Sequence, residues 1–198
     1  MNQMSQGALL DKYSIKTLIA LGSNANRDLG HSLELVKAAT LQLEGERLRI
    51  TATSQFYQTP CFPAGAGPDF VNAAISVETS MSAKALMALF HEVEAQFGRE
   101  RPSRWAPRTL DIDLIAYGQD VVPDRHEVQR WIDLPLEVQK TVAPDELLLP
   151  HPRLQDRAFV LIPLMDIAPG WTHPLIGQTV KEMLDALPDS EKTGVRPL

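Results

Sequence analysis

From Thr17 to Tyr117, short apolar runs alternate with apolar stripes at helical spacing in the order β-α-β-β-α-β, and that order leaves few folds open. Thr17-Leu18-Ile19-Ala20-Leu21 reads as a buried strand stopped by Gly22-Ser23-Asn24. Leu33, Val36, Thr40 and Leu43 then recur at helical spacing, with Gly45 placed to end that helix as its C′ residue. Ile50 to Gln58 is rich in Thr, aromatic and β-branched residues and predicts one strand; Phe70 to Thr79 predicts the next, with Asn72 as its polar oddity. Ser82 is placed to cap a helix whose stripe is Leu86, Leu89, Phe90, Val93 and Phe97, with Gly98 ending it. Leu110 to Tyr117 closes the set as a strand. The order predicts an α+β fold, a ferredoxin-like split βαβ with two helices on one face of an antiparallel sheet.

The flanks carry weaker patterns. Residues 1–16 are polar and read as a flexible N-terminal extension, leaving 17–198 as a single domain. Within an insert near 119–149, Ile132, Leu134, Leu136 and Val138 alternate with Asp133, Pro135 and Glu137, the period of an edge strand or extended loop, with Trp131 as its anchor. Phe159 to Leu164 reads as an apolar strand ending near Pro163, and Val180 to Leu187 as a helix in a C-terminal extension. With 19 Lys+Arg against 25 Asp+Glu, a net −6, broad nucleic-acid binding is disfavoured. The single Cys61 forbids an internal disulfide and suits a reducing compartment. No run of 18 apolar residues spans a membrane and no leader segment is apparent, so a cytoplasmic location is expected, with a monomer the simpler state.

Chemistry concentrates at one strand and the segment before it. Asp111 and Asp113 flank Ile112, and residues i and i+2 share a face, so two carboxylates project side by side about 7 Å apart along the strand. A hard divalent cation would neutralise them, and Mg²⁺ commonly takes one or two carboxylates plus substrate phosphates. A solvated polar strand face explains the pair as readily. Arg99, Arg101, Arg104 and Arg108 put four of the chain's twelve arginines into ten residues, and guanidinium groups match phosphate oxygens. A solvated loop, or arginines paired with the aspartates, would account for the same cluster. His151, with Arg153 and Arg157, forms a further polar group. No G-x-x-x-x-G-K-[ST], H-E-x-x-H or G-x-S-x-G occurs, which disfavours the nucleophilic hydrolases and the commonest phosphate loop.

Arg104-Trp105-Ala106-Pro107-Arg108-Thr109-Leu110-Asp111-Ile112-Asp113 resembles the signature of the 6-hydroxymethyl-7,8-dihydropterin pyrophosphokinases. Ala20-Leu21-Gly22-Ser23-Asn24, Phe56-Tyr57-Gln58-Thr59-Pro60, Pro68-Asp69-Phe70-Val71-Asn72 and the Pro150-His151…Arg157-Ala158-Phe159 segment follow in the family's order. The resemblance implies a ferredoxin-like fold and transfer of pyrophosphate from ATP to the pterin hydroxymethyl oxygen. It implies two Mg²⁺ ions on Asp111 and Asp113, with ATP as cosubstrate. Arg99, Arg101 and Arg108 would hold phosphates or the charge moving onto AMP, and Trp105 would close a lid formed by residues 99–109. His151 and Arg157, with His91 and Glu94, would contact ATP. Thr59, Pro60, Phe62, Phe70, Asn72, Phe159 and Asn24 would contact the pterin, with Phe70 and Phe159 stacking on its two faces. The family usually has tyrosine at Phe70, Pro-Leu at Cys61-Phe62 and glutamine at His91. Two other readings compete: an RNA-binding module of the same fold, disfavoured by the acidic balance, and a catalytically inactive nucleotide- or pterin-binding module.

Overall fold

The computed structural model describes residues 14–25, 28–61, 67–98, 109–135, 138 and 141–198. Its strands are β1 (Ile15–Ser23), β2 (Leu48–Thr53), β3 (Tyr57–Thr59), β4 (Phe70–Thr79), β5 (Asp111–Tyr117) and β6 (Arg196–Pro197). The helices are α1 (Leu29–Leu43), α2 (Ala83–Gln96), α3 (Arg125–Ile132), α4 (Ala158–Ile167), α5 (Val180–Ala186) and α6 (Asp189–Lys192). The antiparallel sheet runs β5-β1-β4-β3-β6, with β2 on the same flank of β4 as β3. β1, α1, β2/β3, β4, α2 and β5 thus form the predicted split βαβ. β1 begins at Ile15, two residues inside the expected extension.

One continuous strand over 50–58 does not form. Ser54 N–H donates to the Ala74 carbonyl while Ser54 Oγ accepts from the Ala74 amide and donates to the Gln55 carbonyl. Gln55 N–H then turns away from the ladder to the Asp166 carboxylate. One hydroxyl thereby takes over ladder contacts and separates β2 from β3.

Two cores flank the sheet. Val36, Ala39 and Leu43 of α1 and Leu86, Phe90 and Val93 of α2 pack on Ile19, Leu21, Ile75, Val77, Ile112 and Leu114. The opposite face is covered too: Val160, Leu161 and Leu164 of α4 and Val180 and Met183 of α5 pack on Leu18, Ala74, Ile115 and Ala116. The two-helix, one-face expectation is therefore incomplete, because the C-terminal extension supplies a second layer. Ser82 and Gly98 end α2 as predicted, Ser82 Oγ accepting from the Ala85 amide and Gly98 taking φ +75°. Gly45 does not act as a left-handed cap. Glu44 caps α1 in extended geometry, and Gly45 instead pairs with Leu48 through two backbone hydrogen bonds.

The insert holds a helix just ahead of the segment expected as an edge strand or extended loop, the two overlapping only at Ile132. Asp124 accepts from the Glu127 amide and starts α3, whose Val128 and Trp131 are buried with Leu148; Ile132 is its last residue, and Leu136 lies outside the described residues. Phe159 to Leu164 is likewise helical. Pro163 sits inside α4, where it cannot donate to the Phe159 carbonyl, and burial of the apolar turns around it outweighs that loss.

His173 anchors the turn before α5. It is fully buried, its Nδ1 accepting from the Leu175 and Ile176 amides. Burial pushes the imidazole down to about 4 from an ordinary 6.5. The unfolded chain binds a proton there below pH 6.5 and the folded chain does not, so this stability is present above pH 6.5 and is lost as pH falls through 4. Asn offers the same acceptor without titrating. Comparing melting temperatures from pH 7 to 4, His173→Asn is expected to flatten the acid decline, by on the order of 3 kcal/mol at the low end; an unaltered slope would contradict this.

Candidate functional site

β-Sheet register determines which side chains meet. Asp111 stands opposite Gly22, Gly22 opposite Asn72, and Asn72 opposite Tyr57, forming one row across four strands. The next row is Asp113, Ala20 and Ala74. Both rows lie on the face that carries α4 and α5, at the end of the sheet where β1 and β3 finish and β4 and β5 start. Gly22 and Ala20 are small, so they make a low floor between the half-buried Asp111 and Asp113 on β5 and the Asn72 side chain on β4, while Ala74 is buried under α4. Phe70 and Thr59 are register partners one step beyond Asn72. The chain connections after β1, after β3 and before β5 all attach at this end.

On the far wall, Asn72 Nδ2 donates to Thr59 Oγ1 at 2.7 Å, with both residues buried. Gly22 is needed for space, not for conformation, since it has no positive φ. A Cβ there would lie 2.7 Å from Asn72 Oδ1 and 3.9 Å from Phe70 Cδ1. Asn24 is buried and donates through Nδ2 to the Pro68 carbonyl at 3.3 Å. Tyr57, in the same row as Asn72, donates its hydroxyl to Asp166 on α4 at 2.9 Å. Burial and that carboxylate push the phenol up to about 12. Asp166 also takes the Gln55 amide, so a single carboxylate fastens α4 to the strand carrying Thr59.

The near wall depends on an irregularity in β5. The β1–β5 register skips Ile115, which leaves Ile115 and Ala116 both in the α4-side core. The Ile115 carbonyl then accepts from the His151 amide at 2.8 Å, which fixes His151 beside the carboxylate strand. Its Nδ1 accepts from the Arg153 amide at 3.1 Å, so neutral His151 carries its proton on Nε2, ready to donate. Burial, then the charges of Arg157 and Arg153, push the imidazole down to about 3 against the smaller opposing pull of Asp111. Arg157 precedes α4 with its guanidinium 5.5 Å from the centroid of the Phe159 ring. Phe159, expected on a strand, is instead 38% exposed on the first turn of α4.

Glu94 is 3% exposed on α2, across the sheet from the carboxylates. Its Oε1 accepts from the Ile112 amide at 2.8 Å. Because β5 is a sheet edge, this bond fixes the residue between Asp111 and Asp113 from the side where no strand pairs. Glu94→Ala is expected to lose about 1–3 kcal/mol for the orphaned amide and to raise the Mg²⁺ concentration that turnover needs. Glu94→Gln retains an acceptor and is expected to recover part of both; identical behaviour of the two variants would contradict the role. His91 is exposed on α2 and Pro60 is exposed directly after Thr59. Arg99, Arg101, Arg104, Trp105, Arg108 and Phe62, and with them most of the expected lid, lie outside the described residues.

Of the residues singled out from the sequence, the structure brings Asp111, Asp113, Phe70, Asn72 and Thr59 to one end of one face, with His151 against the same strand. Sequence reasoning missed the floor glycine Gly22 and the Tyr57–Asp166 fastening, neither of which carries a local signal. Two half-buried carboxylates on one strand fit a hard, oxygen-seeking cation that keeps other ligands. Among the described residues no group of three or more His, Cys, Asp or Glu could hold a metal alone. By their chemistry, two carboxylates on one strand suit Mg²⁺ completed by phosphate oxygens. A shallow surface depression of about 610 Å³ beside α3 is lined by Arg125, His126, Gln129, Arg130, Asp133 and Leu175, and includes none of these residues.

The sequence model of the 7,8-dihydro-6-hydroxymethylpterin-pyrophosphokinase family matches residues 18–169. A Pseudomonas aeruginosa protein named 2-amino-4-hydroxy-6-hydroxymethyldihydropteridine pyrophosphokinase is 34% identical over 175 residues, 87% of this chain and 92% of the relative. Its namesake in Synechocystis is 31% identical over 169 residues, 85% of this chain and 74% of that one. A crystal structure of Plasmodium falciparum HPPK-DHPS superposes with a TM-score of 0.61 at 13% identity, covering 89% of this chain and 46% of that chain. The chain spans less than half the length of that solved protein, and at this identity the likeness concerns the fold.

Proposed function

The chain belongs to the 7,8-dihydro-6-hydroxymethylpterin pyrophosphokinase family, and from that premise we propose a division of labour among its residues. The activity is ATP-dependent pyrophosphoryl transfer to the hydroxymethyl group of 6-hydroxymethyl-7,8-dihydropterin, a step of folate biosynthesis that releases AMP. The pterin hydroxyl oxygen bonds to the β-phosphorus and gives up its proton to solvent, while the bond from that phosphorus to the bridging oxygen on the α-phosphate breaks and AMP leaves with that oxygen. Such a transfer asks for alignment and charge neutralisation and needs no protein nucleophile.

Asp111 and Asp113 would hold the two Mg²⁺ ions expected from the sequence. These ions, when bound, neutralise phosphate charge and polarise the reacting phosphoryl group. His151 donates from Nε2 to a phosphate oxygen, and Arg157 leaves the Phe159 ring to do the same. Arg99, Arg101 and Arg108, read from the sequence, complete the clamp, with His91 and Trp105 assigned to the nucleotide on the same ground, whereas the buried Glu94 does not reach it. On the far wall Asn72, Thr59, Pro60 and Asn24 read the pterin edge, with Phe62 assigned there from the sequence alone, while Phe70 and Phe159 take its faces. Glu94 acts through Ile112, keeping the two aspartates aimed. A monomer in the cytoplasm is the reading carried over from the sequence; among the described residues no helix is long and apolar enough to cross a membrane.

The observation that carries this reading is the row Asp111–Gly22–Asn72, which sets the carboxylates and the polar wall across a floor without side-chain bulk. The test is nucleotide analysis after incubation with MgATP, with and without the pterin. Stoichiometric AMP and pterin diphosphate, without ADP, is the expected result. ATP binding without pterin-dependent AMP would favour an inactive binding module and defeat the proposal.

A further inference from the structure

The family match ends at residue 169, yet the chain beyond it returns to the sheet beside the proposed pterin wall. α6 carries the chain to Thr193, whose hydroxyl donates to the Asp189 carbonyl at 2.7 Å; the Val195 amide donates to the Lys192 carbonyl. β6 then pairs with β3, Arg196 opposite Gln58 and Pro197 opposite Tyr57, and the Leu198 amide donates to the Phe56 carbonyl at 2.9 Å. β3 is only three residues long, and this segment pairs with Tyr57 and Gln58 on its second edge. One residue comes closer still. A Cβ at Gly194 would lie 2.7 Å from Cγ and 2.8 Å from Cδ of Pro60, so the bare Gly194 backbone rests on the Pro60 ring. That ring is tied to its own backbone and cannot swing aside as a flexible side-chain end could.

We propose that residues 194–198 are a positioning element for pterin recognition: Gly194 seats Pro60, and β6 holds β3, so that Thr59 meets Asn72 in the geometry that reads the pterin edge. This rests on the assignment of Thr59, Pro60 and Asn72 to the pterin. The ATP half of the site, on β5 and around His151, lies toward the opposite edge of the sheet from β6 and does not feel the segment. The link runs through contiguous contacts, from Gly194 to Pro60, then Thr59 and the 2.7 Å bond to Asn72. Small displacements there matter, because misplacement by about 1 Å far from the reacting atoms can reduce turnover roughly a hundredfold.

The experiment compares the parent enzyme with Gly194→Ala, measuring KM for 6-hydroxymethyl-7,8-dihydropterin and for MgATP, kcat, and pterin binding by calorimetry. Gly194→Ala is expected to raise the pterin KM and dissociation constant about tenfold, with the MgATP KM within twofold of the parent. Placed in a Pro60→Ala background, where the colliding ring atoms are gone, the same substitution should have no further effect on pterin binding. Removal of residues 194–198 should reproduce the selective pterin defect. Should that shortened chain fail to fold, the Gly194→Ala and Pro60→Ala cycle still decides. Unchanged pterin parameters in Gly194→Ala, or equal losses toward both substrates, would overturn the proposal. A parent enzyme that binds no pterin at all would instead defeat the functional reading itself.

Discussion

Asp113→Asn is expected to lower kcat roughly a thousandfold, the several kcal/mol that a correctly held cation contributes to phosphoryl transfer. Among the described residues no hydrogen bond rests on this carboxylate, so the fold should keep its melting temperature. Asp111→Asn should impair turnover to the same degree. Neither substitution changes the volume of the side chain, so loss of activity cannot come from an altered floor. The two variants should also demand far more Mg²⁺ for whatever turnover remains, because each removes one oxygen ligand of an open site. Steady-state rates over a Mg²⁺ series, with circular dichroism as a control, check all of this. If either variant retained more than about a tenth of the activity at ordinary Mg²⁺, the carboxylates would be the solvated strand face that the sequence pattern also allowed.

A single methyl group on the floor is expected to produce the second large effect. Gly22→Ala places a Cβ 2.7 Å from Asn72 Oδ1, well inside contact distance. The Asn72 amide must shift, and with it the 2.7 Å bond to Thr59. The backbone of Gly22 is ordinary extended strand, so alanine meets no conformational penalty there, and overpacking should cost only about 1–3 kcal/mol of stability. Function should suffer more. The pterin KM should rise by at least about tenfold, and kcat should fall as the acceptor oxygen is misaligned. Asn72→Ala combined with Gly22→Ala removes the clash, and the pair should be less than additive in its effect on the pterin KM. Full additivity, or a Gly22→Ala enzyme with normal pterin kinetics, would mean that the row is not the pterin wall.

The βαββαβ order was readable because alternating periods of two and of helical spacing dictate which residues can be buried, whatever the distant chain does. The aspartate pair was readable for the same reason: one apolar residue between two carboxylates in a strand forces them onto one face. What escaped depends on partners far away in sequence. Ser54 breaks a good strand pattern because its hydroxyl takes both a ladder amide and its neighbour's carbonyl. The covering of the second face by α4 and α5 follows from long-range packing onto Leu18 and Ile115. α3 had a usable start signal in Asp124 and Glu127, three residues apart, but the alternation from Ile132 onward suggested an edge strand. Gly22 reads in the sequence as a simple strand stop, and only its register with Asp111 and Asn72 reveals why no side chain fits there.

The central claim is that Asp111 and Asp113 carry the nucleotide's metal on one side of the Gly22 floor while Asn72 and Thr59 hold the pterin on the other. The most direct test is a crystal structure with Mg²⁺, a non-hydrolysable ATP analogue and 6-hydroxymethyl-7,8-dihydropterin. The account predicts Mg²⁺ at about 2.0–2.1 Å from carboxylate oxygens of both Asp111 and Asp113, shared with phosphate oxygens. It also predicts the pterin against Asn72 and Phe70, with its hydroxymethyl oxygen in line with the β-phosphorus. Metal and triphosphate bound away from Asp111 and Asp113, or a pterin seated off the Asn72 wall, would contradict it.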